Sequence, residues 1–531
     1  MDDDPVEPGP KRPLAVVLLP ALPRPGEGIM RRVDRLVGIA EDAVCDPVDV
    51  GRMVAVRTVR GPVAEVAVHH ALHTGRPRWT LQRIATTCPT VVHGPWSKGR
   101  GGRPESGCRV VPEPRIVPAV PITIRAIDHD EIVAWYAAVG AGFFIWPTDP
   151  EAAAEARGKY LELDRTSAAF DGDAMVGTFR TFGTQLTMPG GAQVPVSAVT
   201  AVTVLSTHRR HGILTQMIAR DIEAGVQRGD VASVLIASEW PIYGRFGYGP
   251  ATWQAKWTLR TRAGRFLGEP AGSVEIVRAK AARELIPEIY RQYHAGQTGE
   301  LARLDYWWDI DLGLVETPGR PRWQGQVAIH RDAAGVPDGY VRYKGEEHWE
   351  DGIPENTILV DELHGATLDA ELDLWRYLLQ ADLVATIKAE TRRSREPIQW
   401  YLSDARAARV TGLTEFLWVR PYDVERLLGE RRYEHDGDLV IEVVDDLGGV
   451  AGPAAGRYRL ETGTDGARCR QTDAAPDLAM TARALGAASL GGTRLADITR
   501  AGGATEHRPG ALAEADRLFK TVDDPWCTTW F

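Results

Sequence analysis

Val202-Thr-Val-Leu-Ser-Thr-His-Arg-Arg-His-Gly-Ile-Leu-Thr215 contains the change of periodicity that decides how the middle of this chain folds. Its first residues close a β-rich run, Val194 to Leu205. Beyond the basic turn, apolar residues recur at Ile213, Leu214, Met217, Ile218, Ile222 and Val226, the spacing of one helix face. Arg228-Gly229 supplies a cationic last turn and a glycine stop. A second apolar run, Val231 to Ser238, follows, so the unit reads strand, turn, helix, strand.

The turn has a chemistry of its own. A helix N-terminus presents backbone N–H groups and the positive end of its dipole, and beside Arg209, Arg210 and Gly212 this makes a concavity suited to a pyrophosphate. Any basic surface turn shares these features, so context must decide. Upstream, Ile122 to Ala126 reads as a short strand and Ile132, Trp135 and Tyr136 as a helix. Ser167 to Thr181 reads as a hairpin about Asp171-Gly172-Asp173, and Pro189-Gly190-Gly191 turns into the run that ends at Leu205.

The chain has 531 residues, enough for three or four domains at roughly 100–200 residues each. With 62 basic and 72 acidic residues its net charge is −10, which gives no footprint for nucleic acid or an anionic membrane. Hydrophobic content of 44% and charged content of 25% are those of a globular protein. The five cysteines, Cys45, Cys88, Cys108, Cys469 and Cys527, lack the even count of a disulfide scaffold and point to a reducing, cytoplasmic compartment. Lys11-Arg12 and the run Leu14 to Leu19 resemble a signal peptide, but Pro20 interrupts them, and no window approaches the roughly 20 apolar residues of a membrane span.

Composition breaks near residue 120. The first 120 residues hold 16 of the 35 prolines and no tyrosine or phenylalanine; their 17 basic and 13 acidic residues give +4 and leave −14 for the remainder. Such a stretch is expected to be disordered or to follow from a start site assigned too far upstream. His69, His70, His73, Cys88, His93 and Cys108 have metal-ligand side chains, but their spacing fits no compact zinc motif; they are read as solvated residues of a basic arm, and no metal is expected.

Arg209-x-x-Gly212 after a strand resembles the acyl-CoA pyrophosphate signature of the GNAT N-acetyltransferases, [QR]-x-x-G-x-[GA], with Leu214 departing at its last position. Thr207 to Leu214 together with Ser238-Glu-Trp-Pro-Ile-Tyr-Gly-Arg-Phe-Gly-Tyr-Gly-Pro-Ala-Thr252 resembles the Eis (enhanced intracellular survival) acetyltransferases, from about Ile122 to Phe531. The resemblance implies an α+β and α/β multidomain chain: a 1–120 extension, a catalytic GNAT domain at 121–268, a degenerate GNAT-like domain at 269–420, and a sterol-carrier-protein-2-like domain at 421–531. Val274 to Arg278, a helical run to His294, the hairpin at Asp332 to Gly335 and a helix from Leu368 to Gln380 suit the second domain, which has no corresponding R-x-x-G turn. Strands at Leu439 to Val444, Gly456 to Glu461 and Ala467 to Thr472 suit the third.

By the same resemblance an amine attacks acetyl-CoA directly. Val202, Thr203 and Val204 would pair with the pantetheine arm as an added strand. Arg209, Arg210, His211, Gly212, Ile213, Leu214 and Thr215 would hold the pyrophosphate, and Ser238 and Glu239 would line the thioester end. Tyr243 takes the general-acid position with a phenol of ordinary pKa about 10, and Tyr248 is the fallback. The base would be the terminal carboxylate of Phe531; an ordinary pKa near 3.5 makes it weak unless it is buried or bridged by water. A docked apolar tail is the alternative for Trp530-Phe531.

The family's aminoglycoside enzymes have acidic pockets, whereas Gly142-Phe-Phe-Ile-Trp146 and Trp530 carry no carboxylate. The resemblance implies a primary amine as acceptor, of an aminoglycoside, a small molecule or a lysine side chain, and the aromatic pocket favours a more apolar amine, or a lysine side chain or N-terminus held by stacking and cation–π contact. The family implies a homohexamer. The competing class is a non-catalytic acyl-CoA or lipid carrier; a third reading has the basic arm recruiting a partner.

Overall fold

The structure, a computed structural model, describes residues 122–531 except 146–148, 318–320 and 464–465, together with the backbone of 53–57, 63–69 and 79–85. The chain divides into two units, Met1–Arg115 and Ile116–Phe531. In the first, strands Met53–Arg57, Val63–His69 and Trp79–Ala85 pair antiparallel in sequence order. The rest of the expectation for residues 1–120, including the side chains of the His/Cys cluster, lies outside the described residues.

The second unit opens with an antiparallel meander of β1 (Thr123–Ala126), β2 (Thr166–Asp171), β3 (Ala174–Thr187) and β4 (Gln193–Val204). Helix α3 (Ile213–Arg228) then carries the chain to β5 (Ala232–Ile236), parallel to β4. Gly229 stops α3 at φ 78°, a left-handed value that costs a residue without Cβ little, and its N–H returns to the carbonyls of Gly225 and Val226. Ile213, Met217, Ile218 and Ile222 form the buried stripe and pack with Phe179, Val199 and Leu235. Each such side chain contributes about 1.5–3 kcal/mol by leaving water. Helices α1 (Ile132–Gly142) and α2 (Pro150–Arg157) precede β2; Trp135 of α1 packs on Ala168 and Phe170, whereas Ala169 faces α3. The strand alternation thus puts α1 and α3 on opposite faces.

A short helix α4 (Trp240–Tyr243) follows β5. The chain then enters a second sheet as β6 (Trp253–Arg260) and continues through β7 (Ser273–Val277), α5 (Ala279–Gly296) and α6 (Asp305–Asp311). Strands β8 (Gln326–Arg331), β9 (Pro337–Glu346) and β10 (Asn356–Gly365), helix α7 (Leu368–Leu379), and strands β11 (Val384–Arg392) and β12 (Ala408–Glu415) complete it, in the order β7-β8-β9-β10-β11-β6-β12. The parallel β10-α7-β11 unit repeats the plan of β4-α3-β5. β13 (Leu417–Pro421) returns to the first sheet, antiparallel on β5, with Trp418 opposite Leu235. Each domain thereby lends a strand to the other's sheet, and boundaries at 268/269 and 420/421 divide the sequence without separating the sheets.

A third domain packs a five-stranded sheet against helices. Its interior is filled by side chains such as Leu439, Ile441, Tyr458, Leu460, Leu485 and Leu518. Arg420 of β13 is buried against Asp445 at 3.2 Å and ties this domain to the first sheet. Beyond Phe519 the tail crosses to the second domain, where the Trp526 N–H donates to the Thr298 carbonyl at 2.9 Å.

Candidate active site

β4 and β5 pair only from Val196–Ala232 to Val199–Leu235, although β4 runs on to Val204. A bulge opens the gap: Thr178 lies opposite Thr203 and Arg180 opposite Thr200, so β4 holds one residue more than β3. Ala201 absorbs it at φ 52°, a left-handed strain of about 1–3 kcal/mol. The Thr178 hydroxyl holds the bulge, donating to the Ala201 carbonyl at 2.8 Å and meeting the Thr203 hydroxyl at 2.7 Å. Gly142 lies directly over it, where a Cβ would stand 2.3 Å from the Thr203 Cβ. The Thr203 side chain is therefore committed to structure, and Val202 and Val204 pack with the α3 cluster. What these three residues offer a ligand is the backbone edge of β4.

That edge leads into the basic turn. Arg210 and Gly212 adopt φ 69° and 76°, and no side chain caps α3. The first helical bond is from Gln216 N–H to the Gly212 carbonyl, which leaves the N–H groups of Ile213, Leu214 and Thr215 at the open helix end. Arg209 Nε donates to the Val204 carbonyl at 3.4 Å, fixing the turn to the strand. Arg209, Arg210 and His211 are exposed, whereas Ile213 is buried in the core. An anion is favoured here by the amides, the helix dipole and the two guanidiniums together.

Ser238 and Glu239 are exposed just past β5, and Glu239 stands at the N-cap position of α4 without a side-chain capping bond. Tyr243 is buried edge-on against Tyr248, their ring centroids 5.9 Å apart. Burial, followed by the Glu239 charge, pushes Tyr243 up to about 12, so the expectation of an ordinary phenol is corrected. The Tyr248 hydroxyl is bonded to the Ser233 hydroxyl at 2.8 Å, within the core.

Phe531 reaches the opposite face of the sheet. Its ring packs edge-on against Phe182 at 5.4 Å and shares a cluster with Ile236, the last residue of β5, whereas Tyr243 shares one with the adjacent Leu235. The tail is anchored by Glu300, a fully buried carboxylate that accepts from Thr528 N–H at 2.8 Å, Thr528 Oγ1 at 2.8 Å, Thr529 N–H at 3.2 Å and Thr529 Oγ1 at 2.8 Å. Arg303 donates to the same two threonines at 3.1 Å, and Tyr290 meets Thr529 at 2.8 Å. Burial raises the Glu300 pKa, but Arg303, His364 and the tail hydrogen bonds outweigh it and hold the carboxyl below its ordinary range. Sequence reasoning missed this anchor because Glu300 and Thr528 stand 228 residues apart and neither belongs to a local pattern.

Phe143, Phe144 and Ile145 are exposed at the end of α1; Trp146 lies outside the described residues. A chain of rings continues from Tyr160, stacked on Tyr306 at 3.9 Å, through Trp307 to Phe182. Sequence reading found the exposed aromatic segment but not this wall, which two domains build.

Family models for the acetyltransferase (GNAT) domain match residues 123–251 and 299–421, and one for the sterol carrier protein domain matches 424–528. The chain is thus two tandem GNAT domains followed by a sterol-carrier-like domain. It is 38% identical over 416 residues to an uncharacterized N-acetyltransferase of Streptomyces avermitilis, covering 77% of this chain and 99% of that one. It is 33% identical over 357 residues to N-acetyltransferase Eis of Mycobacterium tuberculosis, covering 65% of this chain and 80% of that one. The crystal structure of Eis1 from Mycobacterium abscessus superposes with a TM-score of 0.67 at 31% identity, over 77% of this chain and all of that one. The chain belongs to the Eis family of GNAT N-acetyltransferases.

Proposed function

We propose that this acetyltransferase transfers acetyl from acetyl-CoA to a primary amine by direct attack, with Tyr243 as acid and the Phe531 carboxylate as base. The observation that carries the reading is the opened β4 edge running into an uncapped helix end beside Arg209 and Arg210. Acetyl-CoA supplies an activated thioester. Residues Val202 to Val204 bind through their backbone, and residues Arg209 to Thr215 bind the pyrophosphate, with Ser238 and Glu239 at the reacting end. As the C–N bond forms and the C–S bond breaks, the carboxylate takes the amine proton and Tyr243 gives its proton to sulfur. With Tyr243 near 12 and an ordinary thiol near 8.5, complete transfer is uphill by roughly 5 kcal/mol, so proton donation accompanies departure of the thiolate.

The same reading takes the enzyme as cytoplasmic and homohexameric. The free buried thiols Cys469 and Cys527 support a reducing compartment, and the hexamer rests on the family resemblance. The test is thiol release from acetyl-CoA across an amine panel, for the intact chain, Tyr243→Phe, and a form extended by one glycine after Phe531. Amine-dependent release that each change lowers at least tenfold supports both roles. Binding of acetyl-CoA with no acceleration by any amine moves the carrier reading ahead, and turnover untouched by either change removes these assignments.

A further inference from the structure

Among the described residues, the face of the sheet that Phe531 covers holds a guanidinium without a carboxylate partner. Arg180 lies on β3 two residues before Phe182, so both side chains leave the same face, which is the face Phe531 covers. On the opposite, α3-bearing side, the arginines are paired: Arg165 with Glu162 and Asp230, and Arg228 with Asp221 and Asp230. Arg180 has no carboxylate within ion-pair distance among the described residues. Its Nε is buried without a hydrogen-bond partner, and one Nη donates at 3.4 Å to the Tyr160 carbonyl. Its guanidinium carbon lies 5.9 Å from the Phe182 ring centroid, and Phe182 in turn touches Phe531, so one ring separates this cation from the terminal residue. Tyr160, whose carbonyl it meets, is itself stacked on Tyr306.

A partly buried, unpaired charge is costly, and a ligand anion removes that cost. A guanidinium also matches a carboxylate in shape, accepting it through two parallel hydrogen bonds. A polycation would meet repulsion here, and a neutral amine would leave Arg180 as it stands. We infer that the acceptor amine carries a carboxylate on an aromatic or apolar body, with Arg180 binding the carboxylate while the amine points toward Phe531. This rests on the functional reading above and names its substrate class; Arg180 sets specificity and takes no part in acetyl transfer.

The test compares 4-(aminomethyl)benzoate with its neutral isostere 4-(aminomethyl)benzamide, and both with kanamycin, in the thiol-release assay. The benzoate is expected to have at least a tenfold higher kcat/KM than the benzamide and to exceed kanamycin. In Arg180→Gln the benzoate-to-benzamide ratio falls to near one, and Arg180→Lys restores part of it; because the readout is a ratio within one protein, a fold-wide loss cancels. Equal rates for benzoate and benzamide in the native enzyme overturn the inference, as does a preference that survives Arg180→Gln. If no amine accelerates thiol release, the functional reading fails by itself; calorimetric binding of the benzoate in the presence of CoA then decides this inference, which stands if binding is lost in Arg180→Gln and falls if it is not.

Discussion

Replacing Glu300 by alanine should release the chain's tail. The carboxylate is fully buried and accepts four hydrogen bonds from Thr528 and Thr529, one from its neighbour Leu301 at 3.1 Å, and longer ones from the Tyr293 hydroxyl and the Cys527 thiol at 3.4 Å. A hydrogen bond to a charged group is worth about 1.5–3 kcal/mol, but these share one acceptor and do not add. Deleting the carboxylate leaves the buried Thr528 and Thr529 donors unsatisfied at about 1–3 kcal/mol per group, while Arg303 keeps its own ion pair with Glu362, so a loss of about 3–5 kcal/mol is expected for Glu300→Ala. Glu300→Gln keeps one acceptor oxygen but turns an NH2 toward donors, and should lose about half as much. Urea unfolding measures the loss, and hydrogen exchange at the Thr528 and Thr529 amides reports the tail directly. The pH dependence has a fixed sign. Because the folded pKa is depressed, the contribution is present above the ordinary glutamate value of about 4.3 and disappears as pH falls through the folded value. A loss below about 1 kcal/mol with unchanged exchange at both amides would refute the reasoning.

Asp221 of α3 behaves oppositely: burial raises its pKa to about 7, against about 3.9 in the unfolded chain. The folded state then binds the extra proton, so stability falls as pH rises from about 4 to 7, by at most about 4 kcal/mol. Asp221→Asn should flatten that slope and raise the melting temperature at pH 8; thermal scans from pH 4 to 8 check it. Gly212→Ala places a Cβ at φ 76° with Gln216 Nε2 its nearest neighbour at 3.9 Å, so folding should lose only about 1–2 kcal/mol while the KM for acetyl-CoA rises at least tenfold. An unchanged KM would remove the phosphate role of this turn. Gly142→Ala, 2.3 Å from Thr203, should displace the bulge and lower kcat with the native fold retained by circular dichroism. With Tyr243 near 12, its ionisation should leave kcat flat up to about pH 11, and a limb below pH 10 that vanishes in Tyr243→Phe would contradict its assignment.

Local signals were legible in the sequence and long-range ones were not. The helix Ile213–Arg228 follows its apolar spacing and its Arg228-Gly229 stop, and the hairpin at Gly172 follows its turn residues, because both are decided within a few residues. The exchanged strands Trp253–Arg260 and Leu417–Pro421 look like ordinary β runs, and nothing in either indicates which sheet will take it. At the site, the motif located the turn. It could not show that Thr203 spends its side chain on Thr178, that burial lifts Tyr243, or that Glu300 grips Thr528 and Thr529.

Strand exchange also orders events during synthesis. β5 has β4 on one side, but its other edge waits for Leu417–Pro421, about 180 residues later in the chain. Until those residues leave the ribosome, the hydrophobic edge Ala232–Ile236 is an open template for mispairing with another nascent chain. The two halves therefore mature together, and a fragment ending at residue 268 should precipitate through that edge unless a peptide spanning 416–422 is supplied in trans.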